Sequence, residues 1–260
     1  MTAPTWVLLR GWTRDARHWN DFAERLAAAT PGARIVAIDL PGSGQAHSVR
    51  SPWTIQQMAR HVRETLRASG IEPPYALLAL SMGAMVATAW AREWPAEIDS
   101  AVLINTSMRP FSPIAQRLLA RNYGRLLRAP FSTAVAAERT ILQLTSRVRA
   151  DDRPLLDQWV SHRRERPVRR VDALAQLVAA ARFRAPRDNP FRQVLLLTST
   201  RDALVDTRCT LALGRAWNCE VRSHPRAGHD LPLDDPDWVV TQLSSAGHAA
   251  ITIGRHDAGS

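Results

Sequence analysis

Six short runs of apolar residues, rich in Val, Ile and Leu, recur along the chain at Thr5–Arg10, Arg34–Asp39, Tyr75–Leu80, Ser100–Asn105, Gln193–Thr198 and Cys219–His224. Their apolar character is continuous rather than alternating, which predicts strands covered on both faces, as in a parallel sheet. Helical spacing fills most of the gaps. His18–Ala29 places Trp19, Phe22, Leu26 and Ala27 on one face, and Thr54–Ala68 follows Ser51-Pro52, a helix-start signal, and ends at Gly70. Met82–Trp94 starts directly after the third run and stops at Pro95, while Asp206–Trp217 and Pro236–Ala246 follow the fifth and sixth. Alternation of this kind predicts an α/β fold with a doubly wound, mostly parallel sheet of about six strands.

The rhythm breaks once. From Ser107 to about Asn189 no convincing strand occurs, and the pattern predicts helices over Ser112–Leu127, Ser132–Arg147, Asp152–Arg164 and Val171–Phe183. The expected organisation is a core built from residues 1–106 and 190–260, interrupted by an all-helical lid at 107–189. The tail after about His248 is expected to be loosely held.

Charge sharpens this division. The formal net charge is +10, and all 34 basic residues are Arg. Between Arg109 and Arg192 there are 18 Arg against 7 acidic residues, whereas the rest of the chain carries 16 Arg and 17 acidic residues. The excess is therefore local to the predicted insertion. An acidic carrier protein docking there is one reading; the simpler one is that Arg-rich helices keep a cap solvated. A general affinity for nucleic acid does not follow. No segment reaches the roughly 20 apolar residues of a membrane-spanning helix. The N-terminal MTAPTWVLLRGW lacks the basic start and long apolar stretch of a secretory signal, so a cytoplasmic location is the expectation. Cys209 and Cys219 are too few for a disulfide framework, and His18, His47, His61, His162 and His224 show no ligand-like spacing, so neither a metal nor a cofactor is expected.

Candidate chemistry lies at the ends of the apolar runs. The third enters Leu80-Ser81-Met82-Gly83, a serine at a strand-to-helix turn with Ala79 and Gly83 two residues to either side. A sharp turn there needs small flanking residues, lifts the hydroxyl clear of the sheet and aims helix N–H groups at a developing oxyanion. Alone, such a serine is as often a helix cap. The fifth run leads to Asp202-Ala-Leu-Val205 and the sixth to Gly228-His229, where Asp230, Asp234 and Asp235 are expected to shape the turn and cap the final helix. Sites in open α/β sheets form beyond the carboxyl ends of the strands, and the chain order Ser, Asp, His suits a triad on such a sheet. The first run ends in Arg10-Gly11-Trp12, where the Trp12 and Met82 amides are the expected oxyanion donors and Arg10, Gly11 and Leu204 the expected substrate contacts. Arg10 is open to two readings: a ligand for a substrate carboxylate, or the partner of a structural acid such as Asp39.

These motifs, together with Asp39-Leu-Pro-Gly-Ser-Gly44, resemble those of the α/β-hydrolase superfamily. Within it the chain is most similar to small lidded serine esterases, the carboxylesterases that include pimeloyl-carrier-protein methyl ester esterases. The sequence departs from the usual pattern at Ala79, where members carry Gly, and at Arg10, where they carry His. The two N-terminal strands of many members are absent. The resemblance implies ester cleavage through an acyl-enzyme on Ser81, with His229 as base and Asp202 orienting it. The same residues would serve a carrier-protein methyl ester esterase, a thioesterase or an acyltransferase. A non-catalytic ligand-binding protein on this fold is the alternative from another class.

Overall fold

The computed structural model describes residues 5–245; the predicted loose tail and the last residue of the final predicted helix lie outside them. The apolar runs form strands β1 (Thr5–Leu9), β2 (Arg34–Ile38), β3 (Tyr75–Leu80), β4 (Ile98–Ile104), β5 (Val194–Ser199) and β6 (Glu220–His224). They pair in parallel as one sheet of order β2-β1-β3-β4-β5-β6. Strand β4 starts at Ile98, two residues earlier than its apolar run, because the register shifts between Tyr75 and Ala76 and Ile98 pairs with Tyr75.

Helices α1 (Phe22–Ala29), α2 (Ile55–Ala68) and α3 (Met82–Glu93) connect the first four strands. Between β4 and β5 lie α4 (Ile114–Arg117), α5 (Tyr123–Arg128), α6 (Ala134–Thr145), α7 (Arg153–Glu165) and α8 (Arg170–Arg182). Helices α9 (Thr207–Trp217), α10 (Leu231–Asp234) and α11 (Pro236–Ser245) complete the described chain. None is long and apolar enough to cross a membrane.

Alternation along the strands divides the core between the two faces of the sheet. Val7, Leu9, Leu77, Ala79 and Leu103 pack with Met58 and Val62 of α2 and Val86 and Trp90 of α3. Trp6, Leu8, Leu78, Leu80 and Ile104 pack with Phe22 and Leu26 of α1 and Val239 and Leu243 of α11. Each such side chain, removed fully from water, stabilises the fold by about 1.5–3 kcal/mol before entropy is counted. The inserted helices have a core of their own, in which Leu126, Ile141, Leu142, Leu155 and Trp159 meet Leu233 of α10.

Three local expectations need correction. The predicted helix His18–Ala29 is two pieces, a 3-10 turn at Ala16–Trp19 and then α1, separated by Asn20 at φ 49°. Thr54, not Ser51, caps α2, accepting from the Gln57 N–H. The helix expected over Ser112–Leu127 is interrupted by extended backbone at Leu118. Tertiary hydrogen bonds override helical propensity there: the Leu119 N–H donates to the Leu204 carbonyl at 2.9 Å, the Asp206 N–H to the Gln116 carbonyl at 3.0 Å, and Asn122 Nδ2 to the Ala203 carbonyl. The segment is strapped to the loop after β5.

Candidate active site

Strand order reverses direction between β1 and β3, so the loops leaving their carboxyl ends diverge and open a crevice there. Ser81 stands at that point. Its φ of 57° and ψ of −116° are a strained conformation for a residue with a side chain. The surroundings over-determine it: the Ser81 N–H donates to the Ile104 carbonyl at 2.8 Å, and the Thr106 hydroxyl donates to the Ser81 carbonyl at 3.1 Å. A Cβ at Gly83 would lie 2.4 Å from the Leu9 carbonyl oxygen and 2.7 Å from that of Arg10. Glycine is thus required for α3 to approach β1. Ala79 is fully buried in the core on that side, so the strand accepts its methyl group.

His229 sits on the loop after β6 and Asp202 on the loop after β5. The imidazole Nδ1 meets Asp202 Oδ2 at 2.7 Å, with side-chain exposures of 7% and 2%. The other carboxylate oxygen, Oδ1, accepts the N–H groups of Leu204 at 2.7 Å and Val205 at 3.0 Å. A carboxylate accepts only, so Nδ1 carries a proton and Nε2 is free to take one. Burial disfavours charge on His229, but the Asp202 carboxylate, with Asp230 in support and Arg10 opposed, prevails and holds its pKa above the ordinary value. Ser81 and His229 line one cavity of about 670 Å³. Among the described residues no hydrogen bond yet joins them, as is common before substrate binds.

Gly11, Trp12, Met82 and Leu204 line the same cavity. A Cβ on Gly11 would come within 3.7 Å of the Ser81 hydroxyl oxygen, in the space a carbonyl would need. The Trp12 indole donates to the Ala173 carbonyl at 2.8 Å and the Thr13 N–H to Gln176 Oε1 at 3.0 Å, which pins this loop against α8. Among the described residues the Trp12 and Met82 amides have no acceptor. Arg10 also reaches the cavity, but both terminal nitrogens of its guanidinium are held in a buried fork with the two oxygens of Asp230, and the group lies 4.8 Å from the Trp19 ring centre. The structural acid is therefore Asp230, not Asp39, whose oxygens accept from the Ala16 and Gln45 N–H groups.

Two groups hold the His229 loop: Asn105, which the sequence does not single out, and Asp234, whose part in this turn it does suggest. Asn105, at the end of β4, donates to the His229 carbonyl at 2.8 Å and accepts from the Ser199 N–H at 2.8 Å. Asp234 Oδ2 accepts from Gly228 at 2.7 Å and from Arg147, just past α6, at 2.9 Å. The only trace of Asn105 in the sequence is that the fourth apolar run ends there. Asp235 caps the final helix as its position suggested, accepting from the Trp238 N–H.

Asp15, His18 and His162 present ligand atoms within 4.8 Å of one another, a convergence their spacing does not show. The set is poorly suited to a cation. Arg14 Nη1 occupies His18 Nε2 at 2.9 Å, Asp15 holds the other ring nitrogen, and Arg17 pairs with Asp15 at 2.8 Å. Within the insertion Arg149 pairs with Asp152, Arg163 with Glu138 and Arg169 with Asp172, acids already counted in its balance, so the basic excess remains.

A parallel sheet, a strained serine at its switch point and an Asp–His pair beyond the neighbouring strands define an α/β-hydrolase architecture. The chain belongs to the alpha/beta hydrolase family, whose sequence model matches residues 6–242. It is 26% identical over 245 residues to RutD of Shigella flexneri serotype 5b, a protein whose name assigns it as a carbamate hydrolase; the match covers 90% of this chain and 88% of that one. RutD of Escherichia coli K12 matches to the same extent. Among solved structures, 2-hydroxy-6-oxo-6-phenylhexa-2,4-dienoate hydrolase from Rhodococcus sp. strain RHA1 shares the fold at a TM-score of 0.76 and 22% identity, over 95% of this chain and 91% of that one. A thermophilic esterase from Thermogutta terrifontis does so at 0.74 and 20%, over 94% and 89%.

Proposed function

We propose that the protein is a serine hydrolase that cleaves carboxylic esters through an acyl-enzyme, with Ser81, His229 and Asp202 as its triad and residues 107–189 as its lid. The observation that carries this reading is the 2.7 Å contact of His229 Nδ1 with Asp202, which leaves Nε2 as the base on a cavity shared with Ser81. Nε2 takes the hydroxyl proton as Ser81 Oγ bonds to the ester carbonyl carbon. The resulting oxyanion rests on the Trp12 and Met82 amides, one such donor being worth about 3 kcal/mol. The bond to the alkoxy oxygen then breaks, and that oxygen takes the proton from Nε2 and leaves as the alcohol. Water attacks the acyl carbon, gives its proton to Nε2, and the acid departs as Ser81 recovers its proton.

A carbamate is the second reading, favoured by the 26% identity to RutD, since its carbonyl is open to the same attack. A fluorophosphonate probe tests the mechanism. It should label the native chain and leave Ser81→Ala unlabelled, and p-nitrophenyl ester turnover should vanish with the label. Equal labelling of both proteins would refute the assignment of the nucleophile.

A further inference from the structure

We infer that the cavity is a binding site for an extended hydrocarbon group, so that the substrate is a neutral ester with a medium or long apolar chain rather than a small carbamate or an anionic ester. The inference rests on Ser81 being the nucleophile and deepens that reading.

Size is the first argument. At about 670 Å³ the cavity lies in the middle of the roughly 300–1,000 Å³ typical of sites that enclose drug-sized ligands. A carbamate of a few heavy atoms would leave most of it to water against apolar walls. Those walls come from Met85 of α3 and from Leu118, Leu126, Ile141 and Leu177 of the insertion.

Arg10, Arg14, Arg117 and Asp230 in the lining have partners within the protein, and Arg170 lies over the Phe131 ring at 4.6 Å. Arg10 and Asp230 neutralise each other, and Arg14 pairs with Glu138 at 2.7 Å. Buried Arg117 donates to the Ala180 and Ala181 carbonyls at 2.7 and 3.1 Å, capping the negative end of α8. A carboxylate on the substrate would have to compete with these partners.

The mouth carries the third observation. Among the described residues eight large hydrophobic side chains are exposed, and five of them, Ile114, Tyr123, Phe131, Val171 and Leu174, line this one cavity. Phe131 is 74% exposed. Apolar side chains gathered at the rim of an apolar cavity mark the path of an apolar ligand. A chain too long for the interior would leave across them.

Acyl-length series of p-nitrophenyl esters, from acetate to decanoate, test the proposal. With each methylene buried, kcat/KM should climb about fourfold until the cavity is full. A methyl ester bearing a second, free carboxylate should be at least 100-fold poorer than its neutral counterpart of equal length. Leu177→Trp, which narrows the interior, and Leu174→Asp, which alters only the rim, should each lower the decanoate-to-acetate ratio about tenfold. Calorimetry of methyl alkyl ketones with Ser81→Ala reads the cavity without turnover, and affinity should rise with chain length with a negative heat-capacity change. Esters hydrolysed with a flat profile, an acetate optimum or a preference for the anionic ester would overturn the inference and leave the serine mechanism standing. Loss of all esterase activity and labelling, with ketone affinity still rising, would instead refute the mechanism alone.

Discussion

Asp202→Asn is the most informative single change, because the structure dictates how the amide must sit. The Oδ1 position accepts two backbone N–H groups, from Leu204 at 2.7 Å and Val205 at 3.0 Å. Only the amide oxygen can accept them, so the NH2 group is forced into the Oδ2 position facing His229 Nδ1. There it donates, and the imidazole must carry its proton on Nε2, the nitrogen that has to accept from Ser81. The variant keeps its shape and loses its base. A triad locked in the wrong tautomer loses about 10⁴-fold in kcat, or roughly 5 kcal/mol of barrier. The pH profile adds a second readout. In the native protein the Asp202 carboxylate overcomes burial and raises the pKa of His229. In the proposed mechanism neutral imidazole is the active form, so kcat/KM should rise with pH through a midpoint above the ordinary value of 6.5. With the carboxylate gone, burial and Arg10 outweigh Asp230, and the midpoint of any residual activity should move to lower pH. Steady-state kinetics from pH 5 to 9 measure both. Activity within tenfold of native, or an unmoved midpoint, would refute the assigned roles.

Three further changes probe the scaffold. Asn105→Ala removes the bonds to the His229 carbonyl and the Ser199 N–H, leaves buried groups unpaired, and should cost about 3 kcal/mol in urea unfolding together with a fall in kcat; a change under about 0.5 kcal/mol would remove Asn105 as a positioning residue. Gly83→Ala puts a methyl group 2.4 Å from the Leu9 carbonyl oxygen, and calorimetry should show a marked fall in Tm or no folded protein at all. His18 is held neutral, its pKa lowered to about 4 by burial and then by Arg14, against the pull of Asp15. The unfolded chain therefore binds a proton between pH 6.5 and 4 that the folded protein refuses, and stability should fall by about 3 kcal/mol as pH drops through that window. The fall should shrink in His18→Gln; an equal loss in both proteins would place its origin elsewhere.

The parts of this molecule that sequence reveals are those whose cause is local. Strands buried on both faces must be largely apolar, and the runs of β1, β3, β4 and β5 show it; the edge strand β6, Glu220-Val-Arg-Ser-His224, is partly exposed and carries charge. A turn as sharp as that at Ser81 must be flanked by small residues, and Ala79 and Gly83 show that too. Hidden parts are decided between distant segments. The break at Leu118 comes from a bond between Leu119 and Leu204, and Arg10 finds Asp230 across 220 residues of chain while the acid nearer in sequence, Asp39, is taken by backbone N–H groups. Asn105 acts on a main-chain atom, which every residue has, so nothing in the composition of the His229 loop marks it as the target; Asp234, five residues after His229, is close enough in sequence for its part in the turn to be read.

That pattern bears on how the insertion communicates with the chemistry. Asp234 accepts from Gly228, immediately before His229, and from Arg147 and Val148, immediately after α6. The Asp230 N–H donates to the Thr145 carbonyl at the end of the same helix, and a Cβ on Gly228 would lie 2.7 Å from that carbonyl oxygen. One carboxylate thus ties the His229 loop to the helix that forms part of the cavity wall. A movement of α6 that widened the cavity would strain or break these bonds, so the inserted helices at this corner must move with the His229 loop or not at all.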